Sequence, residues 1–386
     1  MAIGKKAGQE ESKPYIALVL QGGGALGAYH IGAYQALAEA GYEPDWVSGI
    51  SIGAINSAVI VGNRPEQRLE RLEELWQEIS RPDGWGMLLE GALRKLFNRG
   101  SATEAILFGQ PNFFTPRFPN PYLAPPGTIG ATSFYDTGPL RDTLLRLADF
   151  GLINSGAVRL SLGATRVTTG ELVFFDNTRQ SIAPEHVMAS GSLPPGFPPT
   201  LVEGELYWDG GCVSNTPLQA ILDDQPETHT LVFMIDLWDA HGPEPRTMDD
   251  VLWRQKQIQY ASRTAQHIET SAMRHNLHFA LKHLASQASP AMLDSAPVQD
   301  ALALTQGGRL DIVHITYHPG DDQVPQSDAE FSRPSIASRR AAGYADMKAA
   351  LAQAPWHLEG RAAHIGAAVH HCRGGEIRSV LPGLRT

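Results

Sequence analysis

The chain has 386 residues, a formal net charge of −10 and a hydrophobic fraction of 42%, with only 19% charged residues. At about 150 residues per domain, this length predicts one or two globular domains. The acidic balance argues against electrostatically driven nucleic-acid binding. The two cysteines, Cys212 and Cys372, cannot build a disulfide framework.

The amino-terminal region predicts neither a signal peptide nor a membrane span. The apolar run 15–20 is short, whereas a bilayer-spanning helix needs about 20 apolar residues. The most apolar stretch, 46–61, is interrupted by small polar residues and predicts a buried strand followed by a helix. We therefore expect a cytoplasmic protein that contacts membranes, if at all, only at their periphery.

The first part of the chain alternates short apolar runs with helical patterns. Strands are predicted over 16–20 and 47–50, and each is followed by a helix, over 27–40 and 52–61. Strand–helix alternation predicts a parallel sheet with helices on both faces. A charged amphipathic helix is predicted over 65–80.

Residues 82–135 form a long connection rich in aromatic residues and proline. Connections of this length in compact domains are usually functional or disordered. Two interpretations are open: a surface excursion held by packed aromatic rings, or an apolar wall or lid over a site. Phe113 and Phe114 are the candidate residues of that wall.

Further strands are predicted in pairs around 169–170 and around Gly204, and singly over 230–237. The region 240–355 is predicted to be mostly helical, with its helices over 251–284 and 335–351 and a last strand over 310–317. The helix 251–284 is basic. Its charged face could touch an anionic membrane or mediate homo-oligomer formation, although ordinary packing of its apolar face is favoured.

Two histidine groups in the last third of the chain invite a metal interpretation. His275 and His278 lie three residues apart on the basic helix, but no third ligand is evident, so a solvated surface is favoured. The run His370, His371 and Cys372 lies in a Gly- and Arg-rich setting. We expect 358–386, like 1–14, to be a flexible terminus, and we predict no metal site.

A glycine-rich turn follows the first predicted strand. Residues 22–27 (GGGALG) fit the pattern G-x-G-x-x-G and open a helix. Backbone amides at such a turn point toward negative charge, either a dinucleotide pyrophosphate or the oxyanion of an acyl transfer. A dinucleotide site needs an acid at the end of the second strand. Asp45 precedes that strand, which weakens the dinucleotide interpretation.

A second motif, 49–53 (GISIG), lies where the second predicted strand meets its helix. The G-x-S-x-G spacing permits the tight turn that exposes a nucleophilic serine, and the helix amino terminus favours developing negative charge. The string alone is weak, but its strand–turn–helix setting is the one that the motif requires. Ser51 is therefore the candidate nucleophile.

A serine nucleophile needs a base. A Ser–His–Asp esterase would draw on one of the 14 histidines, but none lies in a short glycine-rich turn after a strand. Asp209 does, and Gly210 and Gly211 follow it. By itself an Asp-Gly-Gly sequence is explained as well by a plain hairpin turn.

Taken together, the motifs resemble those of one family. The segments 21–27 (QGGGALG), 49–53 (GISIG) and 209–211 (DGG), in this order, are similar to those of the patatin-like phospholipases. The segment 189–199 (ASGSLPPGFPP) resembles the proline-rich stretch before the family's aspartate. The resemblance covers 16–222, the predicted catalytic domain, and the whole chain resembles a bacterial subgroup with an added carboxyl-terminal region.

The resemblance implies a three-layer α/β/α sandwich with a mainly parallel central sheet, and a Ser–Asp dyad without histidine. It makes Ser51 the nucleophile and Asp209 the general base. The implied oxyanion hole is formed by Gly22, Gly23, Gly24 and Ile52, and the motif glycines are Gly27, Gly49, Gly53, Gly210 and Gly211. Many family members carry a basic residue where this chain has Leu26, which weakens the expectation of a phosphate headgroup.

We therefore expect a serine acyl-hydrolase that cleaves carboxylic esters of lipids, as a phospholipase A, lysophospholipase or lipid esterase. It would need no metal or organic cofactor and would meet its lipid or ester substrate at a membrane or lipid surface. Phe113 and Phe114 would contact the acyl chain. The alternatives are a low-turnover lipid-surface or scaffold protein with the same fold, a Ser–His–Asp esterase and, through the glycine turn, a dehydrogenase.

Overall fold

The computed structural model describes residues 13–383 apart from 82–85, 225, 306, 358–360 and 363, and apart from the side chains of 87 and 262–265. Strands β1–β12 in this part of the chain are Tyr15–Leu20, Trp46–Ile50, Thr115–Pro116, Tyr135–Asp136, Arg159–Arg166, Leu172–Asp176, Thr200–Val202, Glu205–Asp209, Thr230–Asp236, Leu310–Thr316, Ala367–Arg373 and Glu376–Val380. Helices α1–α12 are Tyr29–Glu39, Ile52–Val61, Pro65–Glu78, Gly91–Phe108, Gly138–Leu147, Phe150–Asn154, Pro184–Ser190, Leu218–Asp223, Met248–Ala285, Pro290–Leu293, Ala296–Ala303 and Arg333–Gln353.

One large sheet dominates the described part of the chain. Its strand order is β12-β11-β10-β9-β1-β2-β5-β8-β7, with β6 paired to β5, and β3 and β4 form a separate small ladder. The six strands from β11 to β5 run parallel, whereas β12, β6, β8 and β7 pair in the antiparallel sense. The predicted mainly parallel sheet is confirmed.

Both faces of the sheet are covered by helices, as the length of the parallel section requires. Alternate residues of β1 contact different clusters: Ile16, Leu18 and Leu20 pack with the side chains of α1, α2 and α3, whereas Ala17 and Val19 pack with those of α8 and α9. A period of two along a strand sends successive side chains to opposite faces. The predicted three-layer α/β/α sandwich is therefore confirmed.

The carboxyl-terminal region is joined closely to the rest of the molecule. Helix α12 packs on α1 at glycines, since a β-carbon at Gly32 would come 1.9 Å from the Arg340 carbonyl oxygen and one at Gly343 would come 2.0 Å from the Tyr29 carbonyl oxygen. Strands β9 and β10 continue the same parallel sheet beside β1. The predicted helices of this region are present, but its strands complete the sheet of the motif-bearing part.

The expectation of a flexible carboxyl terminus is wrong for residues 367–380. They form β11 and β12, so 310–317 is not the last strand, and His370 is completely buried. The physical reason is that β10 would otherwise leave a row of unpaired backbone groups at the sheet edge, and β11 satisfies them. Residues 1–12, 358–360 and 384–386 lie outside the described part of the chain.

Helix α9 is the longest of the described helices, with 38 residues. A capping box opens it: the Thr247 side chain accepts from the Asp250 amide at 3.2 Å. The expectation that His275 is solvated is wrong, because the ring is buried and its Nε2 lies 2.8 Å from the Gly308 carbonyl oxygen. Among the described residues, no group of three His, Cys, Asp or Glu side chains is arranged to hold a metal ion.

None of the helices in the described part of the chain is both long enough and apolar enough to cross a lipid bilayer.

Candidate active site

The sheet topology brings the three glycine motifs to one edge. Strands β1 and β2 are parallel neighbours, with Leu20 opposite Gly49, so the turns that follow them emerge side by side. The end of β8 reaches the same edge, because Asp209 pairs with Ala164 of β5, one residue beyond the Ile50–Gly163 pairing of β2 with β5. Ser51, the glycine turn and Asp209 therefore meet although up to 187 residues separate them.

Ser51 has the backbone of a tight strand-to-helix turn. Its φ of 57° and ψ of −127° lie in a region that non-glycine residues seldom adopt, and it is the N-cap of α2. The turn is crowded, since a β-carbon at Gly53 would come 2.1 Å from the Leu20 carbonyl oxygen. This backbone geometry matches the strained strand-to-helix turn that the G-x-S-x-G motif requires.

The proline-rich segment 189–199 anchors this turn. The Ser51 amide donates to both the carbonyl oxygen and the Oγ of Ser190, each at 3.1 Å. The Ser190 hydroxyl in turn donates to the Gly163 carbonyl oxygen at 2.6 Å. Two residues further, the Ser192 carbonyl oxygen accepts from the Asp209 amide at 2.9 Å. One segment thus fixes the backbones of both members of the predicted dyad, a function that its sequence did not reveal.

Asp209 has one buried carboxylate oxygen without a hydrogen bond, and the residue lines the same cavity as Ser51. Its side chain is buried, with 1% of the residue exposed, and its Oδ1 accepts from the Gly211 amide at 2.7 Å. Oδ2 is buried and has no formed hydrogen bond in the described part of the chain. The Ser51 hydroxyl lies close enough to lower the pKa of this carboxyl group, although the two side chains form no hydrogen bond. A short approach of that hydroxyl would complete the dyad.

Burial sets the acidity of Asp209. Loss of solvation raises the pKa of this carboxyl group to about 7, although the nearby Ser51 hydroxyl and the hydrogen bond from the Gly211 amide act to lower it. A general base works best when its pKa lies near the working pH. The aspartate thus has an acidity that an exposed carboxylate, with a pKa of about 3.9, does not have.

The glycine turn contains both engaged and free amides. The Gly22 amide donates to the Asn215 carbonyl oxygen at 3.1 Å, so of the expected oxyanion donors it is the one that already has a partner. In the described part of the chain, the amides of Gly23 and Gly24 have no partner, and Ile52 opens α2, where amides lack intrahelical acceptors. These three remain the candidate donors.

A cavity of about 460 Å³ opens onto Ser51 and Asp209. Its volume lies within the range of about 300–1,000 Å³ that is usual for small-molecule sites. One wall is a cluster of aromatic rings in mutual contact, which comprises Phe113, Phe114, Tyr135, Phe197 and Phe331. Phe113 and Phe114 are each 6% exposed. The wall interpretation of segment 82–135 gains support, and the segment also contains the regular helix α4.

A second group of residues that line the cavity was not foreseen from the sequence. Asn215 and Trp238 both donate to the Gly22 carbonyl oxygen, at 2.8 and 2.9 Å, and so hold the glycine turn. Lys256 and Tyr260 of α9 and Asp328 also line the cavity. Leu26 occupies the position where many family members carry a basic residue, and its side chain is completely buried in the core. Lys256, from a distant part of the chain, instead places a cation in the lining of the cavity.

The alternative chemistries find little support at this edge. None of the described residues that line the cavity is a histidine, so a Ser–His–Asp arrangement is not assembled here. Asp45 accepts from the Ile16 amide at 2.8 Å, at the opposite end of β1, where it cannot serve a dinucleotide ribose. A larger cavity of about 1,090 Å³ is lined by His314, His371 and Arg373, among others, and contains neither Ser51 nor Asp209.

Comparison with known proteins agrees with this geometry. The family model described as "Patatin-like phospholipase" matches residues 18–222, and a second model described as "Patatin phospholipase" matches residues 258–362. The first match covers more than half of the chain, which therefore belongs to the patatin-like phospholipase family. This family consists of enzymes that hydrolyse lipid esters.

Individual relatives match over short segments. Patatin-like phospholipase domain-containing protein 6 of Homo sapiens is 46% identical over 61 residues, which are 16% of this chain and 4% of the relative. Neuropathy target esterase sws of Drosophila melanogaster is 53% identical over 49 residues, which are 13% of this chain and 3% of the relative. The matched part of the chain thus spans only a small fraction of the length of these relatives.

Solved structures give weaker likenesses. VipD from Legionella pneumophila has a TM-score of 0.31 and 14% identity, over 87% of this chain and 68% of that chain. Human GIVD cytosolic phospholipase A2 has a TM-score of 0.34 and 13% identity, over 57% of this chain and 42% of that chain. At these TM-scores the likenesses carry no assignment.

Proposed function

We propose that the chain is a serine acyl-hydrolase that cleaves carboxylic esters of lipids, with Ser51 as nucleophile and Asp209 as general base. The observation that carries this proposal is the meeting, in one largely apolar cavity, of a strained serine, a buried carboxylate oxygen without a partner, and free backbone amides. A binding or scaffold protein would have no need of all three. Membership of the patatin-like phospholipase family supports the proposal.

In the first half of the reaction, Ser51 Oγ attacks the ester carbonyl carbon while Asp209 Oδ2 takes the hydroxyl proton. The developing oxyanion accepts hydrogen bonds from the amides of Gly23, Gly24 and Ile52, each worth about 2.7–4 kcal/mol in comparable enzymes. The carbon–oxygen bond to the leaving alcohol then breaks, and Asp209 returns its proton to that alcohol. The product is an acyl ester of Ser51.

In the second half, Asp209 is again a carboxylate and accepts a proton from a water molecule, which attacks the acyl carbonyl carbon. The same amides hold the second oxyanion. The bond to Ser51 Oγ breaks, the serine recovers the proton from Asp209, and the fatty acid leaves. Atoms and charges balance with one water consumed for each ester cleaved.

The test is hydrolysis of p-nitrophenyl esters of increasing chain length by the wild type, Ser51→Ala and Asp209→Asn. We expect at least a thousandfold loss of kcat in both variants, because each residue is needed for proton transfer and nucleophilic attack. Ser155→Ala and Asp142→Asn are matched controls, since both residues are exposed and neither lines the cavity. They should retain wild-type rates.

Two outcomes would contradict this proposal. An active wild type with an active Asp209→Asn variant would mean that the base lies elsewhere. A folded wild type that cleaves no ester, in solution or on detergent-dispersed lipid, would favour the scaffold interpretation. Circular dichroism and thermal unfolding establish that each variant is folded.

The lipid partner would meet the protein beside the cavity mouth. Ile106 lines the cavity and is 42% exposed, and its neighbours Leu107 and Phe108 are 61% and 69% exposed. Phe118 and Tyr122, on the loop that follows, are 98% and 88% exposed. Large apolar side chains so exposed indicate an interaction surface. We infer that this face contacts a lipid aggregate. Phe118→Ser should therefore reduce the fraction of protein that sediments together with lipid vesicles, while turnover of a soluble ester stays intact. An equal fraction of sedimented protein for wild type and variant would contradict the inference.

A further inference from the structure

The cavity that contains Ser51 and Asp209 has a charged wall, formed by Lys256, Tyr260 and Asp328, in addition to its aromatic one. Lys256 and Tyr260 lie four residues apart on α9 and therefore project from one face of the helix. Asp328 faces them from the short helix Ser327–Ala329, and all three residues line the cavity. Neither the nucleophile nor the base needs these side chains, so their presence in the same cavity calls for a role in choosing the substrate.

Lys256 and Asp328 form a pair with unused hydrogen-bonding capacity. The Lys256 Nζ lies 2.8 Å from both carboxylate oxygens of Asp328. An ammonium group has three donors and a carboxylate about four acceptor sites, so one donor and about two acceptor sites have no partner among the described residues. The side chains are 34% and 24% exposed. The pair thus presents a cationic donor and an anionic acceptor side by side, with no net charge.

Tyr260 adds a second donor beside Lys256. Burial raises the pKa of its hydroxyl to about 12, and the charges of Asp328 and Asp209 act in the same direction, so the group stays protonated. The hydroxyl has no hydrogen-bond partner in the described part of the chain. Its ring lies 5.0 Å from that of Trp238, which donates to the Gly22 carbonyl oxygen. The charged wall is therefore attached to the glycine turn beside Ser51.

We propose that Lys256, Tyr260 and Asp328 select lipid esters with a zwitterionic headgroup, in which a phosphate is joined to an ammonium group by a short carbon chain. The inference rests on the proposed function and names its substrate class. Lys256 and Tyr260 donate to the phosphate oxygens, and the Asp328 carboxylate interacts with the ammonium group.

Charge complementarity explains the preference. A zwitterion matches a neutral pair of opposite charges at both ends. A headgroup with a net negative charge is attracted by Lys256 but repelled by Asp328, and an uncharged glycerol gains no charge-assisted hydrogen bond. The order of preference is therefore zwitterionic first, with anionic and uncharged headgroups behind it.

The test uses three soluble lipids with one palmitoyl chain: lysophosphatidylethanolamine, lysophosphatidylglycerol and monopalmitoylglycerol, each below its critical micelle concentration. For the wild type, we expect kcat/KM to be about tenfold higher for the ethanolamine lipid than for either of the others, as one charge-assisted hydrogen bond allows. Equal values for the three lipids would overturn the headgroup proposal while leaving the proposed hydrolase intact.

Variants separate the two halves of the pair. Lys256→Met should reduce the kcat/KM for either phospholipid, relative to the kcat/KM for monopalmitoylglycerol, about tenfold. Lys256→Arg should keep most of the wild-type ratio. Asp328→Asn should instead move the preference from the ethanolamine lipid toward lysophosphatidylglycerol. Lys348→Met, on an exposed part of α12, is the matched control and should keep the wild-type ratios. Unchanged ratios in both Lys256→Met and Asp328→Asn would overturn the proposal.

A binding measurement keeps the two proposals distinguishable. Titration calorimetry of Ser51→Ala with the same three lipids measures headgroup preference without turnover. Selective binding that Lys256→Met abolishes would support headgroup recognition even if no ester were hydrolysed, and the proposed hydrolase would then fail alone. If the three lipids bind equally well and turnover still depends on Ser51, the headgroup proposal is wrong and the proposed hydrolase stands.

Discussion

Gly22 lies against Ser51: a β-carbon added to the glycine would come 2.9 Å from the Ser51 β-carbon and 2.3 Å from Asn215 Oδ1. The glycine turn thus leaves no room for a side chain between itself and Ser51. We predict that Gly22→Ala displaces the turn and lowers kcat at least a hundredfold, because oxyanion donors lose their alignment. Ester hydrolysis measures the loss.

The control for this substitution is Gly100→Ala, at a position where an added β-carbon meets open space. That variant should keep wild-type kcat and gain slightly in stability, since alanine favours a helix more than glycine does. If Gly22→Ala were as active as Gly100→Ala, the contact between turn and nucleophile would be irrelevant to turnover.

The activity should depend on pH through Asp209. Burial raises the pKa of this carboxyl group to about 7, and only the deprotonated form accepts the Ser51 proton. For an uncharged ester, kcat/KM should therefore rise about tenfold per pH unit below 7 and level off above it. A profile measured from pH 5 to pH 9 tests this, and a flat line across that interval would exclude Asp209 as the base.

The same group should lower stability as the pH rises. The folded-state pKa of Asp209 is about 7, above the unfolded value of about 3.9. Between these values the folded state binds more protons, so the contribution of Asp209 is fully favourable below about pH 4 and is lost as the pH rises toward 7.

Asp209→Asn removes this dependence. The variant should be more stable than the wild type by a few kcal/mol at pH 8, and the difference should be much smaller at pH 4.5. Urea unfolding at both pH values measures it, with Asp142→Asn as control. If the difference in unfolding free energy between variant and wild type did not change with pH, burial of the charged Asp209 carboxylate would not be destabilising the folded state.

The aromatic wall should discriminate between acyl chains. Phe113→Leu and Phe114→Leu each remove apolar contact from the cavity, so we expect KM to rise several-fold for long-chain p-nitrophenyl esters and little for short ones. Phe150→Leu, outside the cavity, is the control. Equal effects on long and short esters would mean that the two rings stabilise the fold without contacting the acyl chain.

Arg339 should be essential for stability. It is 3% exposed, and its guanidinium donates to the carbonyl oxygens of Ala25, Ser327 and Glu330 at 2.8–3.0 Å. Arg339→Met would leave buried acceptors unpaired and should cost about 3–5 kcal/mol of unfolding free energy. Arg340→Met is the control, because the partly exposed pair of Arg340 with Glu73 should contribute less than about 1 kcal/mol. Similar losses would contradict the assignment.

Local patterns predicted much of this molecule. Short apolar runs flanked by glycine marked β1 and β2, and the strand–turn–helix setting of residues 49–53 identified the turn at Ser51. These features depend on neighbours in sequence, through side-chain periodicity and the few residues that accept a sharp turn. The predicted pairs around 169–170 and Gly204 are likewise present, as β5–β6 and β7–β8.

Edge strands were harder to predict. The run Ala367–Arg373 is weakly apolar and lies in a glycine-rich setting, so its sequence resembled a flexible terminus. Its pairing with β10 depends on backbone groups 57 residues away, and no local pattern reports such a partner. Burial of His370 and His275 follows from the same long-range packing.

The sequence alone thus determined the mainly parallel α/β framework and the candidates Ser51 and Asp209, because a strand, its turn and its glycines are neighbours in the chain. Only the tertiary structure decided which of the candidate oxyanion amides (Gly22, Gly23, Gly24 and Ile52) have no hydrogen-bond partner. It also decided that Asp209 Oδ2 lacks a partner and that Lys256 lines the cavity. Hydrogen-bond partners and desolvation depend on residues brought together across the sheet, and sequence spacing carries no record of them.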